Sequence, residues 1–225
     1  PKKPENNKMK RVLTTTERLI KELNEKGGIS SIILNHLKIP DFSMKESALV
    51  LLKFGWYIPG DFELKKIAEL TELVNSKKVK KADKILTDFF NEKIDNIEEN
   101  LITKHSERSE IIKEAFKSHK MKMYYSSTIL FLSQADGITE SKMFIGRKNF
   151  DKNIDLTKNP DFINVLGEES PLNVDTRKDE NPDFFSDLNR HGVMHGLSNN
   201  YGTEKNSLRA LSLLCFVSDY YNRYE

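Results

Sequence analysis

Residues 62–97 read FELKKIAELTELVNSKKVKKADKILTDFFNEKIDNI. Leu64, Ile67, Ala68, Leu70, Leu73 and Val74 recur at intervals of three and four, which is one face of an α-helix. Ile85, Leu86, Phe89, Phe90, Ile94 and Ile97 repeat the pattern as a second stripe. No Pro or Gly interrupts either run, so this stretch predicts helix throughout. Upstream, Ser43 opens a helix carrying Ala48, Leu49, Leu51, Leu52 and Phe54 that stops at Gly55. A turn with an aromatic plug, Trp56-Tyr57, follows. Downstream, Ser106 is placed to cap a helix whose buried face is Ile111, Ile112, Ala115 and Phe116. Met121 to Ala135 is almost continuously apolar and predicts a central buried helix, ended by Asp136-Gly137.

The ends of the chain fit the same scheme. Thr14 and Glu17 form a capping-box pattern ahead of Leu19, Ile20 and Leu23, and residues 1–10 read as a frayed arm. Residues 141–183, rich in Pro, Asn and Asp, read as a loop-rich insertion. Regular structure is expected to return at Pro182 and run to about His195. Thr203 then caps a last helix, Glu204 to about Tyr221, which is apolar nearly all round and should be covered by the bundle and by a second subunit. No alternation strong enough for a sheet occurs. The expected fold is all-α, with an N-terminal helical region over 1–104 and a helical bundle over 105–225.

Composition narrows the function. The 225 residues hold 36 Lys+Arg and 34 Asp+Glu, a net charge of +2, so any contact with nucleic acid must come from a local patch. The single cysteine, Cys215, excludes an intramolecular disulfide framework and a Cys-rich zinc module, and fits a cytoplasmic setting. It sits within Leu211–Val217 and reads as a buried small hydrophobe. No apolar run approaches the roughly 20 residues of a membrane span, so no membrane partner is expected.

Two of the five histidines fall in Arg190-His191-Gly192-Val193-Met194-His195-Gly196. Arginine and histidine together can cleave RNA without a metal. An imidazole exchanges a proton with the ribose 2′-OH near neutral pH, and a guanidinium holds the phosphate whose charge builds in the transition state. At about 100° per residue, Arg190 and His195 lie about 140° apart on an ideal helix, whereas His191 and His195 share a face. A site using Arg190 with His195 therefore needs a cleft around the helix, a distorted last turn, or a second copy of the motif. Gly192 and Gly196 permit such distortion.

Arg190 and His195 match the R-x4-H signature of HEPN domains, the helical domains of higher-eukaryote and prokaryote nucleotide-binding proteins. Arg108–Tyr125, Leu132–Ile138, Asn189–Gly196, Tyr201-Gly202-Thr203 and Asn206-Ser207 together resemble a group of bacterial HEPN-like proteins, and the resemblance covers about Glu107 to Tyr221. It implies a metal-independent endoribonuclease of toxin or antiphage type, with no cofactor, whose site assembles from two motifs across a homodimer. On that resemblance Arg190 is the phosphate ligand and His195 the general acid/base. His191 orients the phosphate, Asn189 is a helper, and an antitoxin or defence-system protein is a further partner. Some HEPN domains only bind RNA or partners, so a non-catalytic helical module is the alternative.

Other residues carry blander readings. His191 and His195 at i, i+4 could hold zinc, but no Glu lies between them and no Cys lies near. His36, His105 and His119 are isolated and read as ordinary core or surface residues. Gln134 and Asp136 could approach the site, but Asp136 with Gly137 reads as a helix end. Trp56 reads as core, and the run Lys77–Lys81 as a solvated helix start.

Overall fold

The computed structural model describes residues 44–59, 62–139 and 187–221. The expected arm, the helix after Thr14, His36 and the insertion at 141–183 lie outside them. The described residues belong to one unit, Ser43–Glu225. Among them are eight α-helices and no strand: α1 (Met44–Lys53), α2 (Leu64–Asn75), α3 (Val79–Glu92), α4 (Ile94–Lys104), α5 (Ser109–Lys120), α6 (Tyr124–Ile138), α7 (Arg190–Met194) and α8 (Glu204–Tyr221). The chain is all-α, as its periodicity dictates, and among the described residues no helix is long and apolar enough to cross a membrane.

The last helix is the axis of this arrangement. α8 packs most extensively on α6 and also touches α3 and α4, while α5 lies between α6 and α4. The Thr203 hydroxyl accepts from the Asn206 N–H at 3.2 Å and caps it as expected. Every residue from Asn206 to Ser218 is buried within the one chain. Over Asn206–Ser218, α8 is covered by the chain itself. Its buried serines are each matched to a different neighbour. Ser207 meets His119 Nδ1 (2.8 Å) and Ser127 (2.7 Å), Ser212 accepts from the Tyr57 N–H (3.2 Å), and Ser218 meets His105 Nε2 (2.8 Å). Buried hydroxyls paired in this way avoid the cost of an unmade hydrogen bond and fix the rotation of α8 against its surroundings.

Four helix ends among the described residues close with the same backbone device. The second residue beyond each end takes a left-handed conformation: Gly55 (φ 79°), Lys77 (62°), Lys122 (62°) and Gly196 (69°). In each, paired i→i−3 and i→i−5 bonds satisfy the last carbonyls, as in Lys77 N–H to Val74 (2.9 Å) and Lys78 N–H to Leu73 (2.8 Å). This is the Schellman motif.

Several boundaries differ from the expectation. The stripe from Ile85 to Ile97 is divided between α3 and α4 at Lys93. Ser106 starts a single 3₁₀ turn, and the N-cap of α5 is Arg108. Ile111 is 45% exposed rather than buried. α6 begins at Tyr124, after the reversal at Lys122, and runs through Gly137 to Ile138. Trp56, Tyr57 and Cys215 are buried, and the lysines of the 77–81 run are exposed, as read from the sequence.

Candidate functional site

The segment Asn189–Gly196 forms a single short helix closed at both ends. Residues 187–189 are not helical, so the regular structure expected from Pro182 to about His195 is not continuous: residues 182–186 lie outside the described ones, and α7 begins at Arg190. The reason is Asn189. Its backbone is extended (φ −112°, ψ 113°) and its side-chain Oδ1 accepts from the Gly192 N–H at 2.7 Å, an N-cap. A cap of this kind satisfies one of the amides that a helix start leaves bare. At the other end His195 is the C-cap, and Gly196 makes the left-handed turn. The N–H groups of Leu197 and Ser198 both reach the Gly192 carbonyl, at 2.8 and 2.9 Å. A five-residue helix has no stability of its own, and these caps supply its ends.

The side chains of the motif leave this turn in two directions. The Arg190 guanidinium extends to α6, where Nη2 lies 3.4 Å from Asp136 Oδ2. The rings of His191 and His195 stand together, centroids 4.4 Å apart, with His195 exposed and His191 half-buried. The helical angle anticipated this division. One copy of the motif brings the two imidazoles together and directs the guanidinium to a neighbouring helix. Among the described residues no third His, Cys, Asp or Glu joins the two histidines in a group fit for a metal ion.

The far end of α6 carries more than a helix stop. Arg108 donates from Nη2 to the Gly137 carbonyl (2.8 Å) and from Nη1 to Gln134 Oε1 (3.4 Å). A guanidinium thus closes the end of α6, and the absent Cβ of Gly137 leaves it room. Asp136 stands between these contacts in sequence. Burial raises its carboxyl above the ordinary range, and the Arg190 charge only partly offsets this. Its second oxygen, Oδ1, is buried with no hydrogen-bond partner.

The chain beyond Gly196 is fixed by Tyr125 of α6. Its hydroxyl donates to the Asn199 carbonyl (3.1 Å), and its ring meets Tyr201 edge-on at 5.0 Å. The same ring lies where a Cβ on residue 202 would stand, so Gly202 is required there by close approach. On the approach to the motif, Asp187 is paired with Arg209, which is 1% exposed and also holds Asp83 at 3.1 Å. Asp83 accepts in turn from the Trp56 indole at 2.8 Å, and the Arg209 guanidinium lies 5.6 Å from the Trp56 ring. Arg209 Nε and Asn206 Nδ2 remain without partners in this network.

His105 and His119 are core residues. Burial lowers the pKa of each, Glu107 and Glu204 respectively pulling the other way. Sequence reasoning weighed Asp136 and set it aside as a helix end; its pairing with Arg190 spans 54 positions and leaves no local pattern. The signal that was present is an acid in the last turn of a helix, where the macrodipole disfavours negative charge. No family model matches the chain, and neither does any curated protein or solved structure.

Proposed function

We propose that this chain is a metal-independent endoribonuclease of HEPN type, an effector of toxin or antiphage kind. The observation that carries the reading is the seating of the R-x4-H turn. Both imidazoles stand at an accessible edge, centroids 4.4 Å apart, and Arg190 is oriented by an acidic side chain of the neighbouring helix. In this mechanism His195 takes the proton of the ribose 2′-OH as its oxygen bonds to phosphorus. Arg190 stabilises the charge that gathers on the phosphate, and His191 hydrogen-bonds a phosphate oxygen. The bond to the 5′ oxygen breaks, that oxygen takes a proton from the imidazole of a second copy, and a 2′,3′-cyclic phosphate remains. The second copy enters because Arg190 and His195 diverge within one chain.

Asn189 is best read as the cap that starts α7 rather than as a chemical helper. The alternative, a non-catalytic RNA- or partner-binding module, is favoured by the same ion pair if its work is only structural. Incubating the purified protein with total RNA in EDTA decides between them. Cleavage to cyclic phosphate ends is expected, and its loss in both Arg190→Ala and His195→Ala. Full cellular activity in both variants overturns the enzyme reading.

A further inference from the structure

Outside the turn between α2 and α3, most described lysines face a carboxylate: Lys84, Lys104, Lys113, Lys117, Lys120 and Lys205 all do. At that turn Lys77, Lys78, Lys80 and Lys81 are exposed, and none of them pairs with an acid. The nearby acids do not serve them. Glu72 of α2 pairs with no lysine. Asp83, one turn along α3, is held by Arg209, Lys205 and the Trp56 indole. The arrangement works against the helix it starts. Lys80 and Lys81 occupy the first turn of α3, which contains no acid, at the positive end of the helix dipole. Lys77 takes a left-handed conformation, φ 62°, which glycine adopts without steric cost. Like charges this close in sequence also repel one another. Local rules broken without a structural return concentrate at functional sites.

We infer that the turn between α2 and α3 is a backbone-binding surface for the RNA substrate, where Lys77, Lys78, Lys80 and Lys81 hold phosphates other than the scissile one. The inference rests on the function proposed above. A nucleic-acid backbone carries one negative charge per nucleotide in a row. Lysine meets such a row as a point charge on a flexible stem and needs no fixed geometry to do so. With a net charge of only +2, the chain has no global field to attract RNA, and a local cluster supplies it. The cluster also belongs to the scaffold of the R-x4-H turn. Asp83 of α3 and Asp187 share Arg209, and Asp187 stands two residues before Asn189. Contacts of this kind position a strand without reading its sequence.

The test is the binding of a fluorescein-labelled 2′-O-methyl oligouridylate, followed by anisotropy in EDTA at salt concentrations between about 50 and 200 mM. This probe presents the backbone and has no 2′-OH to attack, so binding is read without turnover. Lys77→Gln, Lys78→Gln, Lys80→Gln and Lys81→Gln combined should weaken binding about tenfold or more. The slope of log K against log salt should flatten by about 2–3, at roughly 0.7 per lost phosphate contact on a single strand. The melting temperature should be unchanged or higher, because like charges are removed. Lys104→Gln, Lys113→Gln, Lys117→Gln and Lys120→Gln combined remove the same charge from paired positions and should change affinity and slope much less. In cleavage assays the first variant should raise KM by a factor similar to its loss of affinity. Unchanged affinity and slope, an equal loss in the second variant, or a loss that tracks a fall in melting temperature overturns the inference. So does a first variant that keeps its RNA affinity and loses binding to phosphatidylserine vesicles, which assigns the turn to a membrane surface. If wild type binds the probe through these lysines and cleaves no RNA, the proposed enzyme fails while the RNA-binding surface stands.

Discussion

His105 and His119 are held as neutral rings against Ser218 and Ser207, and burial lowers both pKa values. The unfolded chain therefore takes up protons first as pH falls below about 6.5, and the fold loses stability there. The urea midpoint should drop between pH 7 and pH 5, and His119→Gln should make that drop shallower. Asp136 acts with the opposite sign. Its raised pKa means the folded chain binds the proton more tightly, so its contribution is present at acidic pH and lost as pH rises. Asn189 offers a separate test. If it is a cap, Asn189→Asp should retain folding and activity, while Asn189→Ala should cost about 0.5–2 kcal/mol in thermal denaturation. An inactive but well-folded Asn189→Asp would return it to the chemistry.

The helices themselves were legible, because burial against one core imposes a period of three to four residues on apolar positions. Their ends were legible only where the chain announces them with glycine. Gly55 and Gly196 mark two Schellman ends openly, whereas Lys77 and Lys122 adopt the same left-handed geometry and look like ordinary solvated lysines. The late start of α6 at Tyr124 went unread for this reason, whereas the division at Lys93 (φ −100°, ψ 6°) involves no left-handed residue and leaves no mark in the apolar pattern. α6 overran its expected stop because Arg108 closes its carbonyls from 29 residues away in sequence. A left-handed residue with a Cβ pays roughly 1–2 kcal/mol. Lys77→Gly and Lys122→Gly should each raise stability by about 1 kcal/mol, read from urea midpoints. At Gly202 the direction reverses. Gly202→Ala pushes a methyl into the Tyr125 ring and should destabilise by about 1–3 kcal/mol, moving the segment that follows His195.

At the scale of the molecule, Arg209 joins segments that sequence reading treated separately. It ties Trp56 after α1, Asp83 of α3 and Asp187 before α7 to the central helix. Asp187 is half-exposed and its pair is screened, but Asp83 is mostly covered and would keep only the longer contact to Lys205, at 3.8 Å, in place of its buried partner. Arg209→Met should cost about 3–5 kcal/mol, and Arg209→Met with Asp83→Asn should recover part of it. Light scattering should report a dimer if the second copy completes the site. The candidate site was half legible. The motif and the divergence of its side chains follow from spacing alone, while Asp136, Tyr125 and Arg209 meet it through contacts far apart in the chain. The pairings of Asp136 with Arg190 and of Asp187 with Arg209 also govern the chain they bracket. The described positions that flank 140–186 are held near one another by the Asp136–Arg190 ion pair, so from the side of the helices the chain between them is closed into a ring. The entropy of closing a ring grows only with the logarithm of its length, by about 0.6 kcal/mol per doubling. Ring length is thus a nearly free variable for this architecture, a natural place for it to be lengthened, trimmed or exchanged while the helices around α8 stay as they are.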